Sequence, residues 1–158
     1  MRFREEEHRS PNAAAEPRHE QRGVCFHHSV LPFDAALTRL LDPASQVSYH
    51  VLIRADGLRA RLVPDEAIAW HAGVSTFRGR THCNLFLLGV SFAGDTYREP
   101  LTEEQIDSAL EWLRLRWARH GWSLDWMTDH RHIAPSRKDD LNPIEWQRLA
   151  AAIAAEFG

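Results

Sequence analysis

The run Asn84-Leu-Phe-Leu-Leu-Gly-Val-Ser-Phe92 constrains the fold more than any other stretch of this chain. It is apolar without alternation, the pattern of a strand buried on both faces, and so of a sheet covered on each side. The second half of the chain supplies helices for such a cover. Thr102 with Gln105 reads as a capping box, Ile106, Leu110, Leu113 and Trp117 form one apolar stripe, and Gly121 ends the helix. Asn142, Pro143 and Glu145 open a second helix, with Trp146, Leu149, Ile153 and Phe157 as its buried face.

The first half is mostly extended. A β-prone run starts at Gly23 and continues through Cys25, His27 and His28; a helix then carries Phe33, Leu37, Leu40 and Leu41 to a stop at Pro43. Residues 46–64 predict a hairpin turning at Asp56-Gly57, and residues 69–84 a Gly-rich polar loop over a groove. Strands early and long helices late predict a single α/β domain over residues 22–158, with a central mixed β-sheet and helices packed on it. Residues 1–21 are charged, carry Pro11 and Pro17, and predict a flexible N-terminal arm.

A formal net charge of −3 excludes a general nucleic-acid binder, which needs a basic surplus. No stretch reaches the roughly 20 apolar residues of a membrane span, and no apolar core of a signal peptide stands near the N-terminus. A cytoplasmic location is the expectation, a separate export or phage-release route aside. Cys25 and Cys83 could pair, but two buried reduced thiols suit that compartment better.

Chemistry concentrates in two places. On a strand His27 and His28 face opposite ways, so only one of them can enter a given site. The late segment Asp129-His-Arg-His-Ile-Ala-Pro-Ser-Arg-Lys-Asp-Asp140 holds His130 and Asp140 too far apart for one helix face, so a loop must fold back to join them. A hydrolytic zinc site takes three protein ligands and keeps one position open. His27, His130 and Asp140 could supply such a set, although their spacing alone is weakly diagnostic.

Four pieces of the chain, in order, resemble the zinc-dependent N-acetylmuramoyl-L-alanine amidases of the type-2 family, in particular its AmpD-like branch: Phe-His-His-Ser-Val (26–30); residues 47–57 followed by 62–75 with Ala-Trp-His-Ala-Gly; Gly-Arg-Thr-His-Cys-Asn (79–84) leading into the apolar strand; and residues 129–140. The resemblance implies the peptidoglycan recognition protein-like amidase fold, with Zn2+ held by His27, His130 and Asp140. Asp139 adjoins the third ligand, and Asp140 is favoured because it keeps the family's spacing to Lys138. It also implies hydrolysis of the amide between N-acetylmuramic or anhydromuramic acid and L-alanine, by zinc-activated water. Tyr49 and Lys138 then stabilise the oxyanion. Implied substrate contacts are Trp70, His71, Asn84 and Arg137. Trp70 and His71 could instead cap the core, and Arg137 could instead pair with Asp129 or Asp139.

The implied partner is peptidoglycan or a muropeptide, in cell wall degradation or muropeptide recycling; the sequence leaves the oligomeric state open, with a monomer favoured. The alternative is a module of the same fold that binds muropeptides without cutting them. Two departures stand out. Ser91 occupies the place where AmpD-type enzymes usually carry Glu, and His132 stands where Asp is usual before Ile-Ala-Pro.

Overall fold

The computed structural model describes residues 1–158. The strands are β1 (Glu5–Glu7), β2 (Ala13–Ala14), β3 (Gly23–His28), β4 (Val51–Ile53), β5 (Arg59–Arg61), β6 (Ile68–Ala69), β7 (Thr76–Phe77), β8 (Arg80–Thr81), β9 (Leu87–Phe92) and β10 (Met127–Asp129). The helices are α1 (Phe33–Leu41), α2 (Glu103–His120), the short turn α3 (His130–Ile133) and α4 (Pro143–Phe157). One six-stranded sheet runs in the order β1-β5-β4-β9-β3-β10. Only the β4–β5 pair is antiparallel, so the sheet is mixed, as the sequence predicts.

The apolar run forms β9, at the sheet's centre and buried along its whole length. Its two faces do different work. Leu88, Val90 and Phe92 join Val24 and Phe26 of β3 and Val51 and Ile53 of β4 under α2 and α4, in a core with Trp112, Leu113, Leu149 and Ile153. The opposite face carries Gly89 and Ser91 of β9 beside Cys25 and His27 of β3, because side chains alternate along a strand. That second face holds α1 and the polar groups described below. The α2 capping box forms as expected: Thr102 Oγ1 accepts from the Gln105 N–H, and Gln105 Oε1 from the Thr102 N–H.

Two expectations need correction. The predicted hairpin is shorter than residues 46–64, pairing only Val51–Ile53 with Arg59–Arg61 around Gly57, whose φ of +91° suits a residue without Cβ. Val47 to Tyr49 leave the sheet, whereas His50 still bonds both neighbours: its N–H donates to the Gly89 carbonyl at 2.9 Å and its carbonyl accepts from the Leu62 N–H at 3.0 Å. Residues 1–21 are not a free arm. β1 adds a parallel strand to the edge at β5, β2 pairs with β6, and Phe3 is buried.

Polar side chains complete this attachment. Asn12 Nδ2 donates to the carbonyls of Asp42 and Val47 at 3.0 and 3.1 Å, and the fully buried Arg59 guanidinium joins Glu5 at 2.8 Å to Glu111 at 2.9 Å. Hydrogen bonds and ion pairs, beside the burial of Phe3, hold this mostly polar segment, and composition does not reveal such bonds. Arg59→Ala would leave Glu111 without its buried partner. It should lower the free energy of unfolding by about 3 kcal/mol in urea titration, and hydrogen exchange should rise first at Glu5–Glu7.

Candidate metal and substrate site

His27 reaches the site from the end of β3, and its ring is fully buried. His130 opens α3 directly after β10, the neighbour of β3, so strand pairing alone sets these two histidines side by side. Their Nδ1 atoms lie 3.0 Å apart. Asp140, in the loop between α3 and α4, places one carboxylate oxygen 3.4 Å from His27 Nδ1 and the other 3.4 Å from His130 Nδ1. The three residues that the sequence nominated lie together, while the exposed Asp139 is grouped with His28 and Asp140 at the groove and not with the two facing imidazoles.

The acceptors around these rings decide where the protons sit. His71 Nε2 faces the Leu87 carbonyl at 2.8 Å, and a carbonyl only accepts, so Nε2 carries the proton. Burial first, and then the neighbouring His27, hold the His71 pKa well below the usual value, so the ring is neutral and its Nδ1 is a bare acceptor. Nδ1 lies 2.9 Å from His27 Nε2, which must therefore donate. Burial, and then His130, lower the His27 pKa to about 4, so this ring too is neutral and its Nδ1 presents a lone pair to the site. His130 Nε2 donates to the Ala72 carbonyl at 2.9 Å, so in the neutral ring its Nδ1 lone pair faces that of His27.

Two lone pairs at this distance repel unless a cation lies between or beside them. Asp140 supplies the matching negative charge. Its two oxygens lie 3.4 Å from the two Nδ1 atoms, and one of them also accepts from the His28 N–H at 3.3 Å. Two imidazole nitrogens and one carboxylate are the donor set that a divalent metal of zinc's character takes.

The groove beside this cluster has a volume of about 380 Å³, and Tyr49, Trp70, His130, Arg137 and Lys138 line it. Tyr49 is half-buried with its ring centre 5.0 Å from that of His27; burial, and then the Asp140 carboxylate, raise its hydroxyl pKa, which keeps the proton on oxygen. The Lys138 side chain is exposed at the groove, on a loop held by its own N–H donating to the Ala134 carbonyl at 2.9 Å. Arg137 Nη2 donates to the carbonyls of Ala72 and Val74 at 3.0 and 2.7 Å, in place of the ion pair with Asp129 or Asp139 that the sequence allowed.

Two of the expected substrate contacts are differently employed. His71 is buried with both ring nitrogens engaged, so it offers no polar atom to the groove. Asn84 Oδ1 accepts from the backbone N–H groups of His71 and Ala72 at 3.0 and 2.8 Å, and thus holds the groove's wall from behind. Cys25 shares the face of His27, but burial, and then Asp140, raise its thiol pKa well above normal; it and Cys83 are free buried thiols.

Asp129 is the residue that sequence reasoning passed over. Fully buried, it accepts from the N–H of His132 at 3.0 Å with one oxygen and from the N–H of Leu141 at 3.1 Å with the other. It thereby fastens the turn holding His130 to the loop holding Asp140. His132 Nδ1 pairs with the same carboxylate, so His132 and Asp129 form one unit. An Asp standing three residues before His132, directly ahead of a short helical turn, was the available N-cap signal.

Residues 17–143 match the family model Amidase_2, described as N-acetylmuramoyl-L-alanine amidase. The chain is 34% identical to the 1,6-anhydro-N-acetylmuramyl-L-alanine amidase AmpD of Salmonella typhimurium strain SL1344, over 92% of this chain and 88% of the relative. It is also 34% identical to the N-acetylmuramoyl-L-alanine amidase AmiD of Escherichia coli K12, over 80% of this chain and 51% of that protein.

Among solved structures, a selenomethionine AmpD derivative superposes with a TM-score of 0.78 at 30% identity, covering 95% of this chain and 93% of the other. AmiD from E. coli, in complex with the substrate anhydro-N-acetylmuramic acid-L-Ala-D-γ-Glu-L-Lys, superposes with a TM-score of 0.75 at 28% identity, covering 90% and 60%. The chain therefore belongs to the N-acetylmuramoyl-L-alanine amidase family, type 2, and has its fold.

Proposed function

We propose that this amidase hydrolyses the lactyl amide joining anhydromuramic or N-acetylmuramic acid to L-alanine in muropeptides, with zinc held by His27 Nδ1, His130 Nδ1 and Asp140. The observation that carries the reading is the pair of facing Nδ1 atoms 3.0 Å apart, each ring's other nitrogen held as a donor, with a carboxylate 3.4 Å from both. When bound, zinc supplies a Lewis acid that lowers the pKa of water toward about 7 and polarises the scissile carbonyl.

The chain's own groups do the rest. The Tyr49 hydroxyl, kept protonated by burial, donates toward the oxygen on which charge develops, and the Lys138 ammonium sits at the mouth of the same groove. Trp70 gives the groove an apolar wall for the sugar ring or the lactyl methyl group. Arg137, with Nη2 tied to two carbonyls, is held where a stem-peptide carboxylate could meet its remaining N–H donors. His71 is not the general base, since its acceptor nitrogen is already occupied by His27. Ser91 offers no carboxylate for that role.

The Salmonella typhimurium relative named for a 1,6-anhydro-muramyl substrate is matched over 88% of its length, and the groove is compact. Both support a soluble anhydro-muropeptide rather than the polymer as substrate.

Metal analysis should find about one zinc per chain, and chelation should abolish release of L-Ala-led peptides from anhydro-muropeptide. Asp140→Ala should lose both metal and turnover. Lys138→Ala and Tyr49→Phe should keep the metal and lose roughly 100-fold or more in kcat; full turnover in either would remove that residue from the mechanism. Assayed side by side, anhydro-muropeptide monomers should be cut and intact sacculi hardly at all. The reverse result would sink the proposed substrate, and zinc binding without any hydrolysis would favour a muropeptide-binding module.

A further inference from the structure

A row of buried imidazoles runs inward from the site. His27 meets His71 edge-on with ring centres 5.0 Å apart, and His71 meets His50 at 6.1 Å. From this arrangement we infer that His71 is a positioning residue: it holds His27 in the tautomer with Nε2 protonated, and so keeps the Nδ1 lone pair aimed at the metal position. The inference rests on the proposed zinc site for its consequence, though the tautomer itself does not.

The geometry leaves little freedom. The Leu87 carbonyl at 2.8 Å fixes the proton on His71 Nε2, which makes Nδ1 the acceptor for His27 at 2.9 Å. His27 has no second acceptor on that side: Cys25 Sγ is nearby, but its thiol is a weak acceptor. Were Nε2 to lose its proton to Nδ1, two lone pairs would face each other across 2.9 Å, and the proton would occupy the position that a metal needs.

The ring of His71 is itself held from behind. Asn84 Oδ1 accepts from its backbone N–H at 3.0 Å. Gly89, across the sheet, leaves the space: a Cβ there would lie 2.6 Å from His71 Cγ. The glycine in the apolar strand therefore has a local purpose, to let an imidazole lie flat against β9. A metal-ligating histidine commonly donates its other N–H to a carboxylate, carbonyl or water, and here a second, neutral imidazole takes that place.

Three variants and two readouts test this. In the zinc-free wild-type protein, long-range 1H–15N correlation spectra should show His27 protonated at Nε2. His71→Phe, which offers no acceptor, should shift His27 toward the Nδ1-protonated form. It should also weaken Zn2+ affinity about 10–100-fold, as measured by competition with a chromogenic chelator. His71→Gln, which can accept from His27 and donate to Leu87, should recover most of the affinity. Gly89→Ala keeps the imidazole but displaces it, and should weaken Zn2+ binding at least about tenfold.

Unchanged tautomer and unchanged affinity in His71→Phe would overturn the inference. Should that variant fail to fold, wild-type affinity in Gly89→Ala would do the same. If the wild-type protein binds no zinc, the proposed metal site fails while the His27 tautomer still decides the role of His71.

Discussion

Two imidazole nitrogens meeting at 3.0 Å, each with its proton drawn off to the far side of its ring, are the constraint around which the rest of this structure is arranged. A bare pair of this kind is unfavourable. It persists because the Ala72 carbonyl claims one proton and His71 the other, and because Asp140 brings a negative charge that a cation can neutralise. Burial makes the arrangement matter. In water each ring would choose its tautomer freely; here desolvation keeps His27 and His71 neutral, so the hydrogen-bond acceptors decide.

The sheet delivers these groups with little adjustable backbone. β3 and β10 are neighbours in register, Asp129 opposite Phe26, so His27 and His130 emerge together from adjacent strand ends. β9 flanks β3 on the other side, with Ser91 opposite His27 and Gly89 opposite Cys25. One face of this three-strand unit is filled by large apolar side chains under α2 and α4. That solid packing leaves the small residues Gly89 and Ser91 free to open room on the other face for His71 and Tyr49. Asp129 then closes the remaining loop by binding the N–H groups of His132 and Leu141, which ties His130 and Asp140 into one rigid turn.

The N-terminal residues contribute to the groove from a distance. The Asn12 carbonyl accepts from Ser48 Oγ, and Ser48 Oγ in turn accepts from the N–H of Trp70 at 2.9 Å. Asn12 Nδ2 also bonds the carbonyls at the end of α1, so the segment joins the α1 wall to the Trp70 wall. A stretch composed almost wholly of polar residues thus becomes part of the domain through directional bonds. Ser10, Asn12 and Glu5 find partners that only the folded chain presents.

What the sequence by itself determined is everything carried by short-range pattern. The apolar run required a covered central strand, the capping residues and stripes set both long helices, and short motifs resembling a known family, rather than spacing, nominated His27, His130 and Asp140. These are local matters, legible because periodicity and capping act within a few residues. The tertiary structure alone decided the order of the strands, the attachment of residues 1–21, and the employment of His71, Asn84 and Asp129. The reason is physical: these three touch partners 12 to 44 residues away in the chain. A hydrogen bond's direction, and so a histidine's tautomer, depends on which acceptor the fold brings to it, which no spacing in the sequence encodes.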